Sequence, residues 1–136
     1  MKKITLFLSL VCMLCTACEN YGDKVSSGHI EVFYKEGINK ETATRTARFL
    51  HDLEVQAQND TTESKSMQLL KNKDTIIFRM VVNRERAAAL NDDNYLALAN
   101  YLSMNVFNNA PVNVDLTDNQ FNTLRSLHFR KVNMED

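Results

Sequence analysis

Hydrophobic and polar positions follow two different periods along the chain after residue 28. Residues 29–34 alternate with the two-residue period of a β-strand, and residues 67–69, 75–83 and 112–116 are strand-like as well. Between them, two segments carry apolar residues at helical spacing, one after a predicted N-cap at Asn39 and one after Asp92 or Asp93. The pattern therefore predicts the order strand, helix, strand, strand, helix, strand.

This order is typical of the ferredoxin-like split βαβ arrangement, an α+β fold in which an antiparallel sheet carries two helices on one face. We expect the domain to cover residues 29–120. Alternation predicts which strand residues point toward the helices: Ile30, Val32, Tyr34, Met67, Leu69, Ile76, Phe78, Met80, Val82, Val112, Val114 and Leu116.

The opposite face of the predicted sheet is more apolar than a surface in contact with water should be. It carries Glu31, Phe33, Leu70, Ile77, Arg79, Val81, Asn113 and Asp115. A contiguous apolar patch of this kind marks a contact surface. We therefore predict that a partner binds at Phe33, Ile77, Arg79 and Val81.

Two covers for this face remain open at this point. One is the chain's own C-terminal tail, residues 121–136, folding back through Phe121, Leu124 and Leu127. The other is a protein partner or a second copy of the chain.

The N-terminus has the pattern of an export signal. Lys2 and Lys3 precede an apolar run over residues 4–14, which is shorter than the roughly 20 residues needed to span a bilayer. We expect residues 1–17 to be removed, and the polar residues 18–28 to form a flexible tether.

The segment Leu14-Cys15-Thr16-Ala17-Cys18 resembles the lipobox of bacterial lipoproteins, in which small residues precede a cysteine that receives diacylglycerol. The resemblance implies that Cys18 is lipidated. An ordinary secretory signal cut at the same bond would leave Cys18 as a free thiol instead. Several acyl chains on one terminus give stable membrane attachment, so lipidation predicts a protein of the cell envelope, at the outer membrane or on a periplasmic face.

Composition excludes several classes of partner and cofactor. All three cysteines lie at or before Cys18, so if Cys12 and Cys15 are removed with the signal we expect no intramolecular disulfide and no cysteine-based metal site. The net charge is −1, and removal of Lys2 and Lys3 leaves no basic surplus for nucleic acid. With only three glycines the chain has no phosphate-binding loop, and we expect no cofactor.

One group of residues offers an alternative function. His29 and Glu31 share a strand face, and Asp115 on another strand could complete a small envelope hydrolase or metal-dependent enzyme. Residues 29–34, 66–69 and 110–114 are similar to uncharacterised domains of bacterial envelope proteins, a resemblance that implies no activity. The interpretation we favour is a membrane-anchored lipoprotein that acts as a non-catalytic binding or assembly module without a metal site.

Overall fold

Six strands form one mixed sheet in this computed structural model, which describes residues 20–58, 63–89 and 91–129. The strands are β1 Asp23–Ser27, β2 Ile30–Tyr34, β3 Lys65–Asn72, β4 Thr75–Val81, β5 Val112–Thr117 and β6 Thr123–Leu127. The helices are α1 Lys40–Gln56, α2 Arg84–Ala89 and α3 Asp92–Asn105. In the sheet, the strands lie side by side in the order in which they occur along the chain.

Two kinds of connection alternate across the sheet. Short turns join the antiparallel pairs β1–β2, β3–β4 and β5–β6. The pairs β2–β3 and β4–β5 are parallel, and the chain crosses between them through α1 and through α2 and α3. Parallel neighbours need such a helical crossover because a tight turn can only reverse the chain.

The predicted ferredoxin-like fold is wrong. In a split βαβ arrangement another strand lies between the two parallel strands of each crossover, and the sheet is antiparallel. Here each crossover returns to the adjacent position, which gives a mixed sheet of six strands with three helices. The predicted elements correspond to β2, α1, β3, β4, α3 and β5, and the order of these six along the chain is the same in both arrangements. The linear pattern of this central part therefore does not distinguish them.

The predicted division of the strand residues between the two faces is confirmed by the strand register. Val32 pairs with Met67, and Phe78 pairs with both Leu69 and Val114, which places these side chains on one face. All of them are buried in a core that also contains Ala43, Ala47 and Leu50 of α1 and Ala99 and Leu102 of α3. The helices therefore cover this face of the sheet.

Side-chain caps define where the two long helices begin. Asn39 caps α1 as predicted, and its side chain accepts a hydrogen bond from the Thr42 backbone N–H at 2.8 Å. Helix α3 is capped by Asn91, whose side chain accepts from the Asp93 backbone N–H at 3.0 Å. The predicted cap at Asp92 or Asp93 is therefore one or two residues too late.

Strands β1 and β6 lie in the segments predicted to be the tether and the tail. Val25 of β1 pairs with Val32, and Leu127 of β6 pairs with Val114 and is buried. The predicted signal segment and Cys18 lie outside the described residues. Among the described helices, none combines the length and apolar character needed to cross a membrane.

Candidate functional site

The sheet face opposite the helices, which we call the second face, carries a mixed row of side chains across its four central strands. Phe33, Gln68, Arg79 and Asp115 are register partners on β2, β3, β4 and β5. Their side chains point away from the core because each lies one position from a buried, helix-facing residue. This row is the centre of the candidate site.

Arg79 organises the polar part of the row. Its Nη1 donates to Gln68 Oε1 at 2.7 Å, while Nη2 donates to the Phe121 backbone oxygen at 2.6 Å and to Thr123 Oγ1 at 2.9 Å. Its Nε lies 3.5 Å from Asp115 Oδ2, an ion pair without hydrogen-bond geometry. The Arg79 side chain is only 14% exposed, so these groups hold the guanidinium in one orientation.

Three aromatic rings cover the middle of the row. The ring centroids of Tyr21 and Phe121 are 5.1 Å apart, and Phe33 lies 5.9 Å from Tyr21 and 5.8 Å from Phe121, all in edge-to-face geometry. Gln68 Nε2 donates to the Tyr21 backbone oxygen at 3.0 Å. Segments from both ends of the described chain are therefore fastened to the second face by rings and hydrogen bonds.

The tail thus covers part of this face, as one of the two open alternatives has it. Phe121 is the residue that does so, whereas Leu127 turns to the helix side and packs in the core. Tyr21, which sequence reasoning placed in the tether, supplies the rest of the cover. A single aromatic residue in a polar segment was the only signal for it.

The residues predicted to bind a partner lie together on this face. Ile77 and Val81 flank Arg79 on β4 and are half-buried, and Phe33 packs in the aromatic cluster. A cleft of about 270 Å³ lies over the same face, between Tyr21 and Phe121, with Gln68 and Arg79 among its lining residues. Gln68 and the two terminal nitrogens of Arg79 already make hydrogen bonds within the chain, and Arg79 Nε is buried beside Asp115. The cleft therefore has few polar atoms available to react with a ligand.

The residues proposed for an enzyme do not come together. His29 is exposed and precedes β2, while Glu31 accepts hydrogen bonds from Lys24 and Ser66, each at 3.3 Å. Glu31 on β2 and Asp115 on β5 are separated by three strand spacings, about 14 Å. Across residues 20–58, 63–89 and 91–129 no cluster of three His, Cys, Asp or Glu side chains could hold a metal ion.

The acidic turn after β5 is explained by its own hydrogen bonds. Asp118 Oδ1 accepts from the backbone N–H groups of Gln120 and Asn122, both at 2.9 Å, and Oδ2 accepts from Asn122 Nδ2 at 3.1 Å. The hydrogen bond from the Asn122 backbone is the main cause that holds the pKa of the Asp118 carboxyl below its ordinary value. This carboxylate stabilises the turn that presents Phe121.

Comparison with known proteins identifies a family for the domain. A family model described as AF_1994_N, family N-terminal domain, matches residues 24–128, a segment that takes in all of the sheet except the first residue of β1. Searches of curated proteins and of solved structures found no match. The match is consistent with the resemblance to an uncharacterised domain. Because it covers well over half of the chain, the protein belongs to the AF_1994_N family.

Proposed function

We propose that the chain is a lipid-anchored protein of the bacterial cell envelope whose domain is a non-catalytic binding or assembly module. In this proposal Cys18 carries the lipid, and the second face contacts a protein partner or a second copy of the chain. The observation that supports it most is the arrangement around Arg79, whose hydrogen bonds are made within the chain while half-buried Ile77 and Val81 lie on either side. Such a surface suits association better than proton transfer.

The physical basis for association is the pre-organisation of this face. Arg79 and Gln68 are already fixed by hydrogen bonds, so a partner would not have to order long side chains on binding. Each apolar side chain removed from water contributes about 25 cal/mol per Å² of buried area. Burial of Ile77 and Val81 therefore supplies the favourable free energy of association. Arg79 holds a positive charge in a fixed position between them.

Photo-crosslinking in intact membranes tests the contact surface. A photoreactive phenylalanine analogue at Ile77 or Val81 should give a discrete adduct, because both positions lie on the proposed interface. The same analogue at Asp52, exposed on α1, is the matched control and should give none. An adduct of twice the chain's mass identifies a second copy, and one of different mass identifies another protein.

A second substitution distinguishes crosslinking through a specific interface from crosslinking by random collision. Val81→Lys should abolish the adduct formed at Ile77, because it places a charge in the apolar part of the interface, whereas Asp52→Lys should leave it intact. Absence of any adduct at Ile77 and Val81, or equal adducts at Asp52, would contradict the proposal.

Membrane fractionation tests the anchor. Cys18→Ser should release the protein from membranes washed with carbonate while leaving the domain folded, because a covalent lipid is the proposed attachment. If the variant stays in the washed membranes, lipidation of Cys18 is not what holds the protein there.

A further inference from the structure

The described chain begins with a segment that is fixed to the sheet. The Gly22 backbone N–H bonds to Asn20 Oδ1 at 2.9 Å, and Tyr21 is held by Gln68 and by two aromatic rings. Gly22 has φ +97°, and a Cβ atom there would lie 2.2 Å from the Tyr34 backbone oxygen. The chain at residues 20–22 therefore lies tightly against the end of β2.

The distance from this segment to the proposed lipid is short. Cys18 is two residues before Asn20, and two extended residues span at most about 7 Å. If Cys18 is lipidated, the end of the sheet next to Asn20 must lie within roughly that distance of the bilayer surface. We call this the anchor end, at which β1, β4 and β5 begin and β2, β3 and β6 end.

Exposed lysines gather at the anchor end. Lys35 follows β2, Lys40 begins α1, and Lys71 and Lys73 lie at the turn between β3 and β4. Among the described residues, no ion pair involves any of these four side chains, whereas Lys24 and Lys65 are each paired with a glutamate. Four lysines that form no ion pair with any described residue thus lie at the end from which the proposed lipid extends.

Four carboxylates lie at this end as well and offset the four lysines, so net charge does not attract this end to the membrane. They are Asp23, Glu36, Glu41 and Asp74. Lysine reaches farther from the backbone than aspartate or glutamate and can extend its ammonium group to the interface. The lipid on Cys18 would hold this end of the domain close to the bilayer. The headgroups are then at a high effective concentration around the lysines, so contacts that are individually weak are enough to orient the domain.

A cleft at the anchor end gives these contacts a place to form. It has a volume of about 690 Å³, and its charged lining residues are Lys35 and Lys71 together with Asp23 and Glu36. We infer that the anchor end of the sheet rests on the bilayer that holds the lipid and binds anionic phospholipid headgroups through Lys35 and Lys71. This inference rests on the proposed lipidation of Cys18.

Fluorescence quenching in proteoliposomes tests the orientation. In the lipidated full-length protein, Asn72→Cys places a dye at the anchor end, and Asn94→Cys places the same dye at the start of α3, at the opposite end of the sheet. The eight residues of β3 separate the two ends by about 26 Å. A nitroxide on the headgroups of vesicles containing phosphatidylglycerol should quench the dye at Asn72→Cys several-fold more strongly than the dye at Asn94→Cys.

Charge reversal tests the lysine contacts. Lys35→Glu/Lys71→Glu should reduce quenching at Asn72→Cys toward the value at Asn94→Cys, whereas the control Arg48→Glu, at an exposed position of α1 away from the anchor end, should not. Equal quenching at both dye positions in a membrane-bound protein would overturn the inference and leave the lipid anchor standing. Retention of Cys18→Ser in carbonate-washed membranes would instead overturn the anchoring on which the inference depends.

Discussion

The ring of Phe121 should be a large contributor to the stability of the domain. Phe121 is 7% exposed and contacts the rings of Tyr21 and Phe33. Replacing a buried phenylalanine by alanine costs about 3 to 5 kcal/mol, and less where the surroundings can relax. Because a cleft adjoins this ring, we expect Phe121→Ala to cost about 3 kcal/mol. The substitution leaves in place the Phe121 backbone oxygen that accepts a hydrogen bond from Arg79. The decrease in the free energy of unfolding therefore reports the contribution of the ring.

Thermal unfolding of the detergent-solubilised protein, followed by far-ultraviolet circular dichroism, measures this effect. At about 4 °C per kcal/mol for a domain of this size, the midpoint of Phe121→Ala should fall by about 12 °C. Tyr101→Ala is the control, because Tyr101 is 55% exposed on α3 and its removal should change stability by less than about 0.5 kcal/mol. Equal midpoints for the two variants would refute the assignment of Phe121 as a cover of the second face.

Three further substitutions probe the second face and its attachments. Arg79→Lys should lower the free energy of unfolding in urea by about 2 kcal/mol, because one ammonium cannot replace a guanidinium that binds several acceptors in fixed directions; an unchanged value would contradict this. Gly22→Ala should lower the thermal midpoint by several degrees, since its Cβ would clash with the Tyr34 backbone oxygen, and an unchanged midpoint would show that the turn relaxes freely. The lowered pKa of Asp118 contributes stability that is present at neutral pH and lost as the pH falls through that pKa, so the midpoints of wild type and Asp118→Asn should differ at neutral pH and converge in acid. A gap between them that does not change with pH would show that the carboxylate charge is not what stabilises the turn.

The faces of the sheet were predictable from the chain, but the order of its strands was not. Alternation in β2, β4 and β5 is regular enough to separate core residues from second-face residues. Strand β1 has Val25 as its single apolar residue, and β6 joins β5 across an irregular register between Leu116 and Thr117. A short edge strand has only one neighbouring strand and few side chains in the core. Its sequence therefore shows little alternation of apolar and polar residues.

The sheet residues of the candidate site were predictable from the sequence, and of the two residues that cover them only Phe121 was named, as part of one of two alternatives. Phe33 and Arg79 follow from the alternation of their strands, so sequence reasoning placed both on the second face. Tyr21 and Phe121 reach that face through backbone conformations that periodicity does not reveal, among them the positive φ of +57° at Phe121. Their positions depend on tertiary contacts, which a linear pattern does not contain.

The sequential order of the strands has a consequence for how the chain folds. Every strand pairs with its neighbours in the sequence, so among the strand pairings the longest separations to be closed are the two helical crossovers. Folding is faster when contacting residues are close in the chain, because less loop-closure entropy is lost before contacts form. In a split arrangement a central position is filled by a strand synthesised later, whereas here each new strand joins an existing edge. The sheet can therefore form strand by strand, from the β1–β2 hairpin toward β6, before the whole chain is present.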